Sequence, residues 1–414
     1  MKKIKVVHIC TSLDGGAGLC AMRIMRATSN LGVNNYALLK NGNPDSHIDL
    51  IDMKHSRNKI SFYFQKILHH FHIWPRASRI DYQIQKARLK KDIIGYFTSP
   101  VTEYRISEHQ WISEADIIHL HWVGGFLDYE SFFRNVKKPI VWTLHDENPG
   151  LGGFHYASWK DKSTTKGQQI DNAMAVIKRK AYNHVKSMNI VAISSMMKDF
   201  ICKNDLLDRF PCTLIHNGID ENLFLSKDKA LARQSLGIKE DRMVFIFVAY
   251  NIYDNRKGLK DLLEALERLN IQNTTLICIG QYDVCPTTSF EVLCEGFVSN
   301  PRLLSLYYSA ADFFIMPSYQ EAFAQTPMEA MACGTPVIAY PCSGTTDLIK
   351  PFNGIVCTDF TIDALTHAIK KATSKIYDRN EIRQYIIEHF SYNLIGKEYA
   401  QLYRNILTKY KEKR

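Results

Sequence analysis

Residues 3–32 have the sequence KIKVVHICTSLDGGAGLCAMRIMRATSNLG, and this stretch decides the fold. Lys3 to Cys10 is an apolar, β-rich run, and Thr11 to Gly18 is a glycine-rich turn. Apolar residues then recur at helical spacing from Leu19 to Leu31, and the pattern ends at Gly32. A strand, a glycine-rich turn and a helix in this order are the opening of a doubly wound α/β domain.

The same alternation continues along the first half of the chain and then begins again. The first half contains further strand candidates at Tyr36–Leu39, Ile117–Leu120, Ile140–Leu144 and Ile190–Ile193. The second half predicts the strands Met243–Tyr250, Thr275–Ile279, Asp312–Met316 and Pro336–Ala339, with the helices Leu259–Leu269, Pro301–Ser309 and Pro327–Ala332 between them. An Asn-Gly turn at 217–218 lies between the halves. We therefore expect two Rossmann-like domains in tandem, with a ligand in the cleft between them.

The composition excludes several classes of protein. The chain has 414 residues, of which 46% are hydrophobic and 23% charged, so it is too apolar to be disordered. It contains no run of about 18 uncharged apolar residues, and its N-terminal apolar run is too short for a secretory signal. We expect a cytoplasmic protein. No two of its ten cysteines have CxxC spacing, and we expect all ten to be reduced.

The net charge of +10 belongs to the first half. Residues 1–215 carry 30 basic and 19 acidic residues, and residues 54–91 carry ten basic residues against one acid. Apolar residues from Ile60 to Phe71 recur at helical spacing within that segment, and Trp74-Pro75 ends the pattern. The segment is consistent with a helix packed on its own domain, with a face attracted to anionic membrane lipid, or with nucleic-acid binding. No nucleic-acid recognition motif accompanies the charge, so we expect no nucleic-acid partner.

Two loops have the composition of phosphate sites. Gly15 and Gly16 follow the first strand, where glycine lets a backbone approach a phosphate beside a helix N-terminus. Residues 16–21 also mimic the dinucleotide G-x-G-x-x-A fingerprint, but the acid expected about 20 residues later is missing, and a turn without a ligand is the other alternative. Arg256 and Lys257 follow a strand and suit a diphosphate, although a solvated loop also explains them.

Three further residues lie where chemistry is expected. Glu321 precedes a helix N-terminus, where a carboxylate can bind sugar hydroxyls or support a developing positive charge. Glu329 lies three residues after Thr326, so a capping box, with Thr326 as N-cap and Pro327 as the first helical residue, is a sufficient structural reason for it. His145 directly follows the strand Ile140–Leu144 and is either structural or close to a bound ligand.

These residues together resemble retaining glycosyltransferases of family 4, which have the GT-B architecture. The motif is Glu321-x7-Glu329, followed by Ala330-Met331-Ala332-x-Gly334-x-Pro336-Val337. Arg256-Lys257-Gly258 and the linker 217–220 also match. The first half is similar to bacterial capsular and exopolysaccharide members through Trp142-Thr143-Leu144-His145-Asp146 and the segment 152–156.

The resemblance implies an organisation and a reaction. Residues 1–216 would form the acceptor-side domain, 217–385 the sugar-nucleotide domain, and 386–414 a helix returning to the first domain. The chain would move a hexose or related sugar from a UDP- or GDP-linked donor to a glycan or polyprenyl-linked acceptor, with retention of configuration through front-side attack within an ion pair. The setting would be the synthesis of capsule, lipopolysaccharide or another bacterial surface polysaccharide at the inner face of the plasma membrane. No metal or other cofactor is expected, because the chain lacks an Asp-x-Asp triplet.

The resemblance also implies roles for single residues. Glu329 would bind the ribose, and Arg256 and Lys257 would neutralise the diphosphate, which Gly15 and Gly16 would approach from the first domain. Glu321 and His145 would act at the transferred sugar. The backbone of residues 322–324 would hold that sugar, and the backbone around Phe297 would meet the base. The donor-binding residues are thus Gly15, Gly16, Arg256, Lys257, Phe297, Ala322, Phe323, Ala324 and Glu329.

Two other functions remain open at this point. A sugar-nucleotide epimerase or hydrolase on the same architecture would consume donor without an acceptor. A non-catalytic sugar-nucleotide-binding subunit would bind donor and never turn it over.

Overall fold

The computed structural model describes residues 3–51, 75–342 and 344–412. The chain divides into two compact units: a first unit formed by the residues up to Ile215 together with those from Gly396 onward, and a second unit from His216 to Ile395. Each unit has its own parallel sheet. The helix expected from Ile60 to Phe71 lies outside the described residues.

The first unit is built on a seven-stranded sheet. Its strands are β1 (Ile4–Cys10), β2 (Val33–Leu39), β3 (Ile48–Leu50), β4 (Ile117–Leu120), β5 (Ile140–Leu144), β6 (Met188–Ala192) and β7 (Cys212–Leu214). They lie in the order β3-β2-β1-β4-β5-β6-β7, and all paired strands are parallel. The chain therefore moves outward from β1 first in one direction and then in the other. Ligands bind beyond the carboxyl ends of the strands at such a reversal, here between β1 and β4.

Seven described helices follow or precede these strands. They are α1 (Gly15–Ser29), α2 (Arg76–Leu89), α3 (Gln110–Glu114), α4 (Tyr129–Asn135), α5 (Ala157–Lys162), α6 (Thr165–Tyr182) and α7 (Ser195–Cys202). Helix α2 buries Ile84 and Ala87 in a cluster with Phe97, Phe154 and Met174. Its apolar face thus packs on its own unit, while Lys86 within it and Lys90 and Lys91 after it are exposed.

The second unit repeats the plan with six strands. They are β8 (Met243–Asn251), β9 (Thr274–Gln281), β10 (Glu291–Cys294), β11 (Phe313–Met316), β12 (Val337–Ala339) and β13 (Gly354–Val356). The order is β10-β9-β8-β11-β12-β13, which places the reversal between β8 and β11. The helices are α8 (Lys229–Ser235), α9 (Leu259–Leu269), α10 (Pro301–Ala310), α11 (Gln325–Ala332), α12 (Thr345–Leu348), α13 (Ile362–Thr373) and α14 (Arg379–Phe390). The prediction of two Rossmann-like doubly wound units is confirmed.

The C-terminal stretch forms two helices. Helix α14 ends at Phe390. The next residue, Ser391, has an extended backbone, and α15 (Tyr392–Glu412) follows it. The sequence predicted a returning segment from residue 386, whereas residues 386–395 stay with the second unit, where the Phe390 ring contacts those of His216 and Phe323. From Gly396 onward α15 belongs to the first unit.

Four short strands, β3, β7, β10 and β13, were not expected from the sequence. Each is a sheet edge of three or four residues, most of them only partly buried, so no apolar run marks it in the sequence. The structure also joins Cys285 and Cys294 in a disulfide, so the expectation that all ten cysteines are reduced is wrong. Among the described helices none is both long and apolar enough to cross a membrane.

Candidate active site

The second unit brings its predicted charged residues to the reversal of its sheet. Arg256 and Lys257 lie on the short turn between β8 and α9, and Glu321 lies on the loop between β11 and α11. Because β8 and β11 are neighbours and parallel, both loops leave the same edge of the sheet. The carboxyl edge at a strand-order reversal is where doubly wound sheets bind ligands.

Close backbone contacts tie these two loops together. Gly258 has φ of +74°, and a Cβ atom there would lie 2.0 Å from the carbonyl oxygen of Pro317. The Tyr319 backbone N–H donates to the carbonyl oxygen of Arg256 over 2.8 Å. A glycine is therefore required at position 258 both for the left-handed backbone and for the space that Pro317 occupies.

Carboxylates pair with both predicted cations. The Lys257 ammonium forms an ion pair with the Glu321 carboxylate, across 64 residues of sequence. Arg256 is held by Asp254, with Nε 3.2 Å from Oδ1 and a terminal nitrogen 2.5 Å from Oδ2. A phosphate bound at this edge would replace the Glu321 carboxylate as the anionic partner of Lys257.

Helix α11 begins earlier than the sequence predicted. Its N-cap is Ala324, and Gln325 is its first residue, so Thr326 is not the cap and the capping box with Glu329 is wrong. Pro327 still fits, because a first-turn N–H has no partner within the helix. Glu329 instead lies in the second turn, where it is 6% exposed and accepts a hydrogen bond from the Tyr308 hydroxyl over 3.3 Å. The structural reason that the sequence offered for Glu329 therefore does not apply.

The loop before α11 is packed. Ala322 and Phe323 are buried, and Ala324 is partly exposed. Gly344, with φ of +82°, allows Phe323 to approach, since a Cβ there would lie 3.0 Å from Phe323 Cα. The backbone of residues 322–324 is thus fixed by packing, and its contact with the transferred sugar stays a prediction.

An exposed aromatic pair lies at the same edge of the second sheet. Phe297 follows β10 and is 59% exposed, and Tyr250 near the end of β8 is 67% exposed. Their rings meet edge to face with centroids 5.6 Å apart. The sequence singled out Phe297 but not Tyr250, although the place of Tyr250 near a strand end was a signal that could have found it.

The first unit places its glycine-rich turn at the start of α1. Gly15 has φ of +77°, and a Cβ atom at Gly16 would meet nothing within 4 Å. A Cβ at Gly18 would lie 2.4 Å from the backbone of Leu13. The three glycines therefore differ: Gly18 is needed for packing, Gly15 for backbone conformation, and Gly16 has open space beside it.

His145 directly follows β5, which pairs with β4, one of the two strands at the reversal. Its Nε2 lies 3.3 Å from Nδ1 of His121. Desolvation in its partly buried position lowers the pKa of His145 to about 4, so the ring is neutral near pH 7. The neighbouring Asp146 binds His155 Nδ1 at 2.6 Å and the indole N–H of Trp122 at 2.7 Å. It acts on His145 through its charge, which opposes the effect of desolvation on the pKa of that ring.

A buried histidine cluster underlies this residue. One ring nitrogen from each of His8, His119 and His121 lies within 4.8 Å of the other two, which is close enough for the three to ligate one metal ion. All of them already have hydrogen-bond partners: Asn35, Thr143, Tyr403, His145 or another histidine of the cluster. The expectation of a reaction without a metal stays a prediction.

A cavity of about 1060 Å³ in the first unit lies elsewhere. It runs along α15 and is lined by residues at the amino ends of β6 and β7, among them Lys186, Met188, Pro211 and Thr213. None of the predicted site residues lines it. We therefore do not assign it to the donor.

Comparisons with known proteins agree with this architecture. The family model described as Glycosyltransferase Family 4 matches residues 15–223, about half of the chain, and Glycosyl transferases group 1 matches residues 228–389. An uncharacterised glycosyltransferase of Methanocaldococcus jannaschii is 26% identical over 315 residues, which are 71% of this chain and 76% of that protein.

Two solved structures share the fold at low sequence identity. Sucrose-phosphate synthase from Thermosynechococcus elongatus superposes with a TM-score of 0.65 and 17% identity, over 98% of this chain and 100% of that one. HepE of Anabaena in complex with UDP-glucose superposes with a TM-score of 0.61 and 17% sequence identity, over 97% of this chain and 100% of that one. With the two parallel sheets, the strand-order reversals and the matches over both halves, the chain belongs to glycosyltransferase family 4 and has the GT-B fold.

Proposed function

We propose that this chain transfers a hexose or related sugar from a UDP- or GDP-linked donor to a glycan or polyprenyl-linked acceptor, with retention of configuration and without a metal. The observation that carries the proposal is the edge of the second sheet. There the Lys257–Glu321 pair and the start of α11 lie together at the strand-order reversal. A fixed cation and a helix N-terminus are the groups that stabilise a leaving diphosphate in place of a metal ion.

Within this proposal the second unit holds most of the donor. Lys257 and Arg256 neutralise the diphosphate, and Glu321 with the backbone of residues 322–324 holds the sugar. Glu329 binds the ribose hydroxyls; Tyr308 orients its carboxylate by donating to Oε2. The base lies at the backbone around Phe297, where the Phe297 and Tyr250 rings offer an exposed apolar surface.

The first unit contributes the Gly16 backbone, which lies close to the diphosphate, and His145, which orients the sugar. Gly16 has the space that a diphosphate needs beside a backbone. His145 orients the transferred sugar as a neutral ring, which can hydrogen-bond a sugar hydroxyl without adding a positive charge beside the developing oxocarbenium ion. UDP-glucose is the first donor to test because HepE, a protein of the same fold, binds it.

The proposed acceptor sets the proposed location. A polyprenyl-linked acceptor is held in the membrane, and the basic excess of the first half favours an anionic surface. We therefore place the reaction at the inner face of the plasma membrane, in the synthesis of a surface polysaccharide such as capsule or lipopolysaccharide.

Thermal-shift measurements with UDP, GDP, dTDP and ADP, and then with their sugar conjugates, test the donor. A ligand at about 100 times its Kd stabilises the native state by roughly 2.7 kcal/mol, which is readily detected. We expect a shift with one nucleotide that is lost in Glu329→Gln. Glu240→Gln is the matched control, because Glu240 is an exposed carboxylate of the same unit. No shift in the wild type with any of these ligands would contradict a sugar-nucleotide site.

Turnover then separates transfer from its alternatives. Donor consumption that requires an acceptor supports a transferase. Consumption without an acceptor would indicate a hydrolase or epimerase, and binding with no consumption under any acceptor would indicate a binding subunit.

A further inference from the structure

A chain of hydrogen bonds crosses four neighbouring strands of the first unit and ends at His145. Asn35 lies on β2, His8 on β1, His121 directly after β4 and His145 directly after β5. Asn35 Oδ1 is 3.0 Å from His8 Nε2, and His8 Nδ1 is 2.9 Å from His121 Nε2. His121 Nδ1 is in turn 3.3 Å from His145 Nε2.

The Asn35 side chain sets the direction of this chain. Its Nδ2 donates to the carbonyl oxygen of Met25 over 2.8 Å, and a carbonyl oxygen can only accept. The amide nitrogen therefore faces Met25, and the amide oxygen faces His8. Because that oxygen is also only an acceptor, His8 carries its proton on Nε2.

The same logic fixes the proton on each following ring. A neutral imidazole has one N–H and one bare nitrogen, so His8 Nδ1 accepts from His121 Nε2–H. His121 Nδ1 is then bare and accepts from His145 Nε2–H. The sequence of bonds leaves Nδ1 of His145 as the bare nitrogen, and no residue in the described part of the chain is bonded to it.

The surroundings keep these rings neutral. Burial lowers the pKa of His8 to about 4 and that of His121 well below its usual value. The His8 and His121 rings stack with centroids 5.2 Å apart, and His119 lies 4.1 Å from His121, so a charge on one ring would repel a charge on the next. One proton per ring is the state in which all three bonds can form.

We propose that Asn35, His8 and His121 are positioning residues that hold His145 as its Nε2–H tautomer, so that His145 Nδ1 accepts a hydrogen bond from a hydroxyl of the transferred sugar. The hydroxyl partner rests on the proposed function, whereas the tautomer follows from the first unit alone. In this arrangement His145 can accept from the sugar and cannot donate to it.

His119 provides a matched control within the same cluster. It is as buried as His8, but its ring nitrogens bond the Thr143 and Tyr403 hydroxyls and do not enter the chain. His8→Phe and His119→Phe thus remove equivalent buried rings, and only the first interrupts the path from Asn35 to His145.

Ring-nitrogen chemical shifts of the full chain labelled with ¹⁵N-histidine test the tautomer, because a protonated ring nitrogen and a bare one resonate far apart. Spectra of His8→Phe, His121→Gln and His145→Gln assign the signals. At pH 7.5 we expect Nε2 to be protonated and Nδ1 bare in His8, His121 and His145. A His145 ring protonated on Nδ1, or on both nitrogens, would overturn the proposal. The His145 signal is read in the wild type, and its assignment needs only the His145→Gln variant to be folded as well.

The variants test the positioning role. We expect His8→Phe to give a mixture of tautomers at His145 and to lower kcat/KM for the donor about two- to tenfold, the effect of one hydrogen bond. His119→Phe should leave the His145 tautomer unchanged. An unaltered His145 signal in His8→Phe would overturn the role of His8. A wild type with the expected tautomer but without transferase activity would contradict only the proposed function and the sugar hydroxyl.

Discussion

At the scale of single residues, variants at the glycines of the first turn test donor binding and folding separately. Gly16→Ala adds a methyl group to open space, so we expect the free energy of unfolding to change by less than about 0.5 kcal/mol. If a diphosphate approaches this backbone, the same methyl group occupies its place, and donor affinity falls by about tenfold or more. Calorimetric titration with donor and denaturant unfolding measure the two effects.

Gly18→Ala is the contrasting variant. Its Cβ would overlap the Leu13 backbone, so the loss should appear in stability, by more than about 1 kcal/mol. Unchanged donor affinity in a folded Gly16→Ala protein would show that the turn does not touch the ligand.

The buried histidines make the first unit sensitive to acid. Burial lowers the pKa of His8 from 6.5 to about 4, so between these values the unfolded chain binds a proton that the folded chain does not. The free energy of unfolding therefore rises with pH across this window, by up to about 1.4 kcal/mol per pH unit for this histidine. We expect Tm to increase from pH 4 to pH 6.5, and less steeply in His8→Phe. Equal slopes for the two proteins would be inconsistent with a neutral His8.

At the scale of the element, α2 and the residues that follow it test the membrane proposal. Lys86, Lys90 and Lys91 are exposed, and Leu89 among them is 87% exposed. Arg88 is left unchanged, because it donates to the Phe97 carbonyl oxygen and so has a structural role. Replacing the three lysines by glutamine should weaken binding to vesicles that contain anionic lipid by about 1 kcal/mol per lysine, an effect reduced by salt.

The control for this variant has the same change in charge. Lys239, Lys260 and Lys370 are exposed lysines of the second unit, and their replacement by glutamine should have a smaller effect. Equal losses in both triple variants would show that net charge matters and that α2 does not. If the wild type does not bind anionic vesicles, the membrane part of the proposal is contradicted.

The sequence predicted the C-terminal end of helix α11 correctly and its start wrongly. The sequence predicted its existence, its C-terminal end at Ala332 and its place after β11. The start was wrong by two residues, because Thr326 and Pro327 have the character of a cap although the helix begins at Gln325. Tertiary contacts of Phe323 with Gly344 and Asn217 set where the loop ends, and none of these contacts is local in sequence.

At the scale of the whole molecule, the C-terminal helix completes the first unit. The Tyr403 hydroxyl is 2.7 Å from His119 Nδ1 inside that unit. Tyr403→Phe leaves this buried nitrogen without its partner, so we expect a loss of about 1–3 kcal/mol in the stability of the first unit. Hydrogen exchange should show weaker protection of β4 and β5, with the second unit unchanged.

Tyr410→Phe is the matched control on the same helix. The Tyr410 hydroxyl donates to the Lys137 carbonyl oxygen at the exposed surface, where water can replace it. We expect a smaller loss than for Tyr403→Phe. Equal losses would contradict the larger contribution expected of the buried Tyr403–His119 bond. Weaker protection of the second unit in Tyr403→Phe would contradict the assignment of this helix segment to the first unit.

The sequence by itself determined the two doubly wound units, most of their longer strands and helices, and the loops that carry Gly16, His145, Lys257 and Glu321. These features depend on periodicity and turn residues within about 15 positions, and such local patterns can be recognised without knowing which elements pack together. The short edge strands are mostly only partly buried, so they lack the apolar run that marks the equally short central strands and could not be found in this way.

Only the tertiary structure decided which of these residues meet. Lys257 pairs with Glu321 because β8 and β11 became neighbours, and Asn35 reaches His145 because β2, β1, β4 and β5 lie side by side. Strand order and the return of α15 result from the burial of apolar surface by the whole chain, which no local pattern encodes. The protonation of His145 is therefore a property of the folded sheet, since the residue that sets it lies 110 positions earlier in the sequence.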